Sequence, residues 1–203
     1  MQTVRLDSQH IAPSKVICIG RNYVAHIEEL GNELPADMVV FCKPNSAIGE
    51  ILHAEHGGEP LHYEGEIALM VEQGQFAAAG FGLDLTKRAL QSALKSKGLP
   101  WERAKAFDGA ALFSDFHRID HLVDLTLELS VDNAPRQAGD VGLMLYPPDQ
   151  ILTELCAFMS LEDGDIVMTG TPAGVGPVHA GERFQGRVLQ GGNLLAEQEW
   201  QVQ

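Results

Sequence analysis

With 203 residues, 45% of them hydrophobic, the chain is long enough for one domain with a sizeable core, or for two small ones. Its 21 Gly and 10 Pro point to many turns. A formal net charge of −14 argues against nucleic acid or an anionic membrane as a partner. An anionic substrate would have to be met by a metal ion or by a local group of basic side chains.

Residues 1–13 carry no apolar signal core, and no run approaches the length of a membrane span, so a cytoplasmic protein is expected. Residues 15–19 (KVICI) read as a buried strand ended by Gly20. From 22 to 30 the pattern is helical, and His26 and Glu29 share a face at i and i+3. Such a pair is either a surface contact or a catalytic dyad. Gly31-Asn32 closes the helix. Residues 39–41 read as a strand, 42–45 as a turn and 48–60 as loop. His53, His56 and His62 match no structural zinc spacing.

Residues 61–71 (LHYEGEIALMV) read as a buried strand. Glu64 and Glu66, two apart, point to one side, with Gly65 opposite. Like charges that close repel unless a cation lies between them. The pair is therefore a solvated strand edge or half of a metal site. Residues 77–83 fit another buried strand, with Gly80 and Gly82 allowing close backbone approach. Asp84 at its end is either the N-cap of the next helix or a third carboxylate. Leu85, Ala89, Leu90, Ala93 and Leu94 form the apolar stripe of that helix, which Gly98 and Pro100 stop.

Residues 100–107 look irregular, and Lys105 stands in apolar company that is unusual for a solvated lysine. Residues 123–131 alternate as a strand that turns at Asp132-Asn133. Residues 149–159 predict a helix with Ile151, Leu152, Leu155 and Phe158 inward, and 166–168 a strand. The Gly-dense loop 169–177 lacks the Gly-Lys-Ser/Thr ending of a P-loop, but its amides and hydroxyls suit an anion such as a carboxylate. Residues 182–203 read as two strands split at Gly191-Gly192. Cys18, Cys42 and Cys156 make no CxxC pair and sit among apolar neighbours, which predicts reduced core cysteines. With no linker in view, one α+β domain over residues 1–203 is expected, mainly β with a few short helices.

Several segments together resemble the fumarylacetoacetate hydrolase family. They are Gly20-Arg21-Asn22-Tyr23 with His26 and Glu29, Tyr63-Glu64-Gly65-Glu66, Leu83-Asp84-Leu85-Thr86, Gly98-Leu99-Pro100-Trp101 with Lys105-Ala106-Phe107, and Gly164-Asp165 through Thr169-Gly170-Thr171-Pro172. They stand in the family's order from about residue 15 to the end, and look most like the small acylpyruvase type. The resemblance implies a mixed β-sheet roll and a homodimer. It implies that Glu64, Glu66 and Asp84 are metal ligands, and that His26 and Glu29 activate water on a segment that orders over the substrate. Lys105 and Gln91 would face the reacting carbonyl, with Arg21 and Thr169 near the substrate's carboxylate end. His62 stands where many members carry Asp, and residues 106–113 are less rich in Pro and Gly than the family pattern.

Three carboxylates without histidine suit Mg²⁺ or Mn²⁺ better than Zn²⁺. The expected substrate is a small 2-oxo or 1,3-diketo acid, a 3-acylpyruvate cleaved to pyruvate and a carboxylic acid. His26 would take a proton from water and Lys105 would stabilise the oxyanion. Oxaloacetate decarboxylation or tautomerisation, or hydration or isomerisation of a 2-oxo acid, uses the same metal site, and fold kinship does not choose among them. A metal-bound scaffold without activity has no need of His26, Glu29 and Lys105 together.

Overall fold

The computed structural model describes residues 1–31 and 33–203. The expected helix end at Gly31-Asn32 thus falls partly outside the described residues. Gly65–Glu72 (GEIALMVE) is buried from Gly65 to Val71. A continuous apolar run of this kind forms a strand covered on both faces. It turns at Gln73-Gly74, where φ is +52° and +73°, into the antiparallel strand Gln75–Asp84. Positive φ at both positions gives the turn whose twist matches paired strands.

Around this hairpin an eight-stranded mixed sheet curls into a half-barrel. Its order runs Val39–Pro44, Lys15–Gly20, Ile166–Met168, Gly65–Glu72, Gln75–Asp84, Ala111–Phe113, Ile48–Gly49, and His117–Arg118 pairs with the early part of Gln75–Asp84. Ile166–Met168 runs parallel to Lys15–Gly20, and Ala111–Phe113 parallel to Ile48–Gly49; the other pairings are antiparallel. A second, antiparallel sheet has the order Ala134–Asp140, Leu125–Val131, Arg183–Gln190, Asn193–Gln201. Its Leu125, Leu127, Leu129 and Val131 alternate inward. The sheets meet where the Phe81 ring lies against Gly186 and 6.1 Å from Trp200. A Cβ at Gly186 would stand 2.3 Å from that ring, so glycine is required there. The fold is mainly β with a few short helices, as expected.

Several elements differ from the sequence reading. Residues 42–44 are strand rather than turn, because they pair with Lys15, Val16 and Ile17. That alternation turns Lys43 inward and Cys42 outward. Cys156 is exposed as well, so among the cysteines only Cys18 is a core residue. The expected strand at 61–71 is broken: His62–Tyr63 pairs with Gly176–Pro177, and Glu64 stands outside the ladder. The helix after Asp84 begins at Arg88, so Asp84 is not its N-cap. Residues 100–107 hold a one-turn helix, Glu102–Lys105. Pro148–Cys156 ends before Phe158, which leaves the buried stripe and is 61% exposed. The strand Ala134–Asp140 is polar enough to have hidden in the sequence.

Candidate active site

Register brings the three carboxylates together. Gly82 pairs with Glu66 and Leu83 with Gly65, while the Asp84 amide donates to the Glu64 carbonyl at 2.8 Å. As whole residues Glu64, Glu66 and Asp84 are 5%, 2% and 1% exposed, which rules out a solvated strand edge. Each offers one oxygen, and these oxygens lie within 4.8 Å of one another.

Cations surround two of the three. The Lys105 ammonium donates to Glu64 Oε2 and Asp84 Oδ2, both at 2.7 Å, and to Thr86 Oγ1 at 2.6 Å. Lys43, fully buried, brings its Nζ to 2.8 Å from Asp84 Oδ1 and donates to the Lys105 carbonyl. Arg88 donates to Glu64 Oε1 and, at 2.8 Å, to Gln91 Oε1. Burial would raise the Glu64 pKa, but Lys105, Arg88 and His26 outweigh it and hold that carboxyl well below the usual range. Burial favours neutral Lys105, yet Asp84 and Glu64 outweigh it and push its pKa up.

Glu66 is different. Among the described residues no cation pairs with it, and its polar contact is the Gly170 amide, which donates to Oε2 at 2.6 Å. Burial, then Asp84, then Glu64 push its pKa well above the ordinary carboxylate value. Asp84 Oδ1 also retains acceptor capacity, because Lys43 approaches it without forming a directed hydrogen bond. Three buried hard oxygen donors facing one point, one lacking a cation, fit a divalent ion such as Mg²⁺ or Mn²⁺.

His26 lies on the wall of the same cavity and is 6% exposed. Its Nδ1 is 3.5 Å from Glu29 Oε2. The Gly174 amide holds the Glu29 carboxylate, at 3.0 and 3.1 Å from its two oxygens. Burial lowers the His26 pKa below the ordinary histidine value, against the opposing pull of Glu64.

Of the residues expected from sequence, Arg21, His26, Glu64, Glu66, Asp84, Gln91 and Lys105 line one cavity. Glu29 stands behind His26 rather than on that wall. Thr169 is not on the wall either: its hydroxyl donates to the Ile67 carbonyl at 2.8 Å, and Thr171 lines the cavity instead. Sequence reasoning missed Arg88, Lys43 and Gln137. Arg88 stands three residues before Gln91, a spacing that puts both on one helical face. Lys43 was hidden by the apparent turn at 42–45. Gln137 lies in the unforeseen strand; it accepts from the Gly65 amide at 2.8 Å and donates to Thr171 Oγ1 and the Pro172 carbonyl at 2.7 and 2.8 Å.

The chain as a whole is similar to known proteins. The chain is similar to oxaloacetate tautomerase YcgM of Escherichia coli (strain K12), 36% identical over 191 residues that cover 84% of this chain and 86% of that protein. It is 33% identical over 187 residues to a mitochondrial oxaloacetate decarboxylase of Dictyostelium discoideum, covering 83% and 85% of the two chains. The crystal structure of fumarylpyruvate hydrolase from Pseudomonas aeruginosa in complex with Mn²⁺ and pyruvate matches with a TM-score of 0.88 at 29% identity, covering 99% of this chain and 95% of that one. The family model for the fumarylacetoacetate (FAA) hydrolase C-terminal region matches residues 15–198. Spanned by that model from its first core strand nearly to its end, the chain belongs to the fumarylacetoacetate hydrolase family.

Proposed function

We propose that the protein is a divalent-metal-dependent enzyme acting on 2-oxo acids, and that its reaction is the keto–enol tautomerisation of oxaloacetate. The observation that carries this reading is the buried imidazole of His26, on one cavity wall with three buried carboxylates and Lys105. The names of similar proteins support oxaloacetate over an acylpyruvate as substrate. Glu64, Glu66 and Asp84 would hold Mg²⁺ or Mn²⁺. When bound, the ion supplies Lewis-acid polarisation of the 2-oxo carbonyl.

Tautomerisation moves one proton between C3 and the 2-oxo oxygen. His26, whose imidazole burial favours in the neutral form, would take the C3 proton and hand it to the 2-oxo oxygen, so that the ring ends neutral. Glu29, fixed by the Gly174 amide 3.5 Å from the ring's Nδ1, would support the charge the ring gains. Lys105 and Arg88, bonded to Glu64 on the same cavity wall, would add positive charge near the oxygen that gains negative charge as the proton leaves.

The second reading is hydrolysis of a 3-acylpyruvate, supported by the likeness to fumarylpyruvate hydrolase. There His26 would take its proton from water. The two are separated by following enol loss from oxaloacetate, and cleavage of an acylpyruvate, with the Mn²⁺-loaded protein. Acylpyruvate cleavage without faster oxaloacetate tautomerisation would reverse their order. Family resemblance also supports a homodimer; sedimentation at micromolar concentration that gives only a 22.0 kDa species would remove it.

A further inference from the structure

The cavity wall is not charged throughout. Phe41 and Trp101 stand on it together, with ring centroids 5.8 Å apart and planes inclined at 59°. Local structure places both. Phe41 and Lys43 lie two apart in the strand Val39–Pro44 and so share one face. Both meet Lys105: the Phe41 ring centre is 5.2 Å from its Nζ, and Lys43 donates to its carbonyl. Trp101 leads into the one-turn helix Glu102–Lys105, and its carbonyl accepts from the Ala104 and Lys105 amides at 2.8 and 3.0 Å. Residues four apart on a helical turn share a face, so Trp101 and Lys105 reach the cavity side by side.

The hydrophobic core does not account for the tryptophan. Trp101 is only half-buried and belongs to neither of the two buried clusters. Ligand cavities commonly set a few placed polar groups against aromatic walls. Gly20, on the same wall, adds to the pattern. Its φ is not positive, so its backbone would accept a side chain. A Cβ there would press on Val39 Cγ1 at 3.2 Å and stand 3.8 Å from Trp101 Cζ3. The glycine thus leaves that edge of the indole uncovered.

We propose that Phe41 and Trp101, left open by Gly20, form an apolar subsite for a short hydrocarbon chain carried on C3 of a 2-oxo acid. Oxaloacetate has a carboxylate at C3 and no such chain to place there. The subsite therefore gives the protein a second class of ligand and substrate, monocarboxylic 2-oxo acids such as 2-oxobutanoate. Their enolisation is the same movement of one proton from C3 to the 2-oxo oxygen, and it needs no co-reactant. This inference rests on the 2-oxo-acid reading and adds a substrate class to it.

The test titrates Mn²⁺-loaded protein calorimetrically with oxamate and its N-methyl, N-ethyl and N-propyl derivatives. In these unreactive analogues nitrogen stands in place of C3. Affinity should rise about fourfold with each added carbon, the scale of burying one CH₂ group. Trp101→Ala should lower the ratio of N-propyl to parent affinity by about tenfold, and Trp101→Phe should keep most of it. Gly20→Ala, which covers the ring edge, should lower the same ratio and decides the matter should Trp101→Ala not fold. With Mg²⁺ in deuterium oxide, the protein should also speed exchange of the C3 protons of 2-oxobutanoate. A flat series, no binding of any oxamate, or a ratio that survives both substitutions overturns the subsite. Turnover of oxaloacetate without exchange in 2-oxobutanoate overturns the second substrate class. The binding series needs no turnover. Affinity that climbs with chain length in a protein that turns over neither acid would therefore remove the tautomerase reading and keep the subsite.

Discussion

The Lys43 ammonium lies 2.8 Å from Asp84 Oδ1, and neither side chain reaches solvent: they are 0% and 2% exposed. Removing one partner from a buried ion pair leaves the other charge poorly compensated, at a cost of about 3–5 kcal/mol. Asp84 keeps Lys105, so Lys43→Met should fall at the low end, about 3 kcal/mol in denaturant unfolding. Asp84 would also lose one of the two groups that aim it, and Mn²⁺ should bind more weakly. A Lys43→Met protein with wild-type midpoint and wild-type Mn²⁺ affinity would show that Lys43 only fills space.

Glu66 should behave in the opposite sense. In metal-free protein its raised pKa means that the charged form is disfavoured by folding. Such a group adds stability below its unfolded pKa and loses it as pH rises through the higher folded value. Glu66→Gln removes this loss, so the metal-free variant should be at least as stable as wild type at neutral pH. It should also lose the rise in melting temperature that Mg²⁺ or Mn²⁺ gives by mass action. A variant that still gains stability from the ion would move the metal site elsewhere.

These opposite expectations show what was legible in the sequence. Glu64 and Glu66 could be picked out as a pair because residues two apart in an extended chain point to one side, whereas Asp84 was joined to them only by the family resemblance. The groups that set their charge state could not. Lys43 lies in a segment whose Pro and Asn mimic a turn, and it becomes a strand residue only through pairing with Lys15–Gly20. Gln137 sits on a polar strand of the other sheet, and no local pattern announces that it will reach Gly65 and Thr171. Helix limits failed for a related reason. The apolar stripe from Leu85 begins before the helix does, since Leu85 and Thr86 are held by backbone bonds to Ala110 and His62.

Gln137 joins the strand carrying Glu66 to the loop whose Gly174 amide holds Glu29. Gln137→Leu would leave the buried Gly65 amide unsatisfied, a cost of about 1–3 kcal/mol. We expect lower stability by that amount, with weaker Mn²⁺ binding. A Gln137→Leu protein with wild-type stability and wild-type Mn²⁺ affinity would mean that the bond to Gly65 is not what matters.

The last prediction concerns His26. Burial sets its pKa below 6.5, so the neutral base is lost as pH falls through that lower value and not at the ordinary one. The acid limb of kcat/KM for oxaloacetate tautomerisation should therefore lie below pH 6.5. The Glu29 carboxylate pulls the other way, raising the His26 pKa. Glu29→Gln should then move the limb to still lower pH while reducing the maximal rate. General-base contributions are typically about a hundred- to ten-thousandfold, and His26→Ala should lower tautomerisation by an amount in that range. Decarboxylation of oxaloacetate releases carbon dioxide and no proton to a base, so any such activity should fall much less in the same variant. Asp84→Asn should damage both reactions, because both would need the metal carboxylates. The comparison is a ratio of kcat/KM values across two reactions of one substrate, so a general loss of fold cancels from it. If His26→Ala lowers both reactions by the same factor, His26 shapes the cavity and does not move the proton. If the acid limb of Glu29→Gln stays where the wild-type limb lies, the carboxylate behind the ring does not tune it.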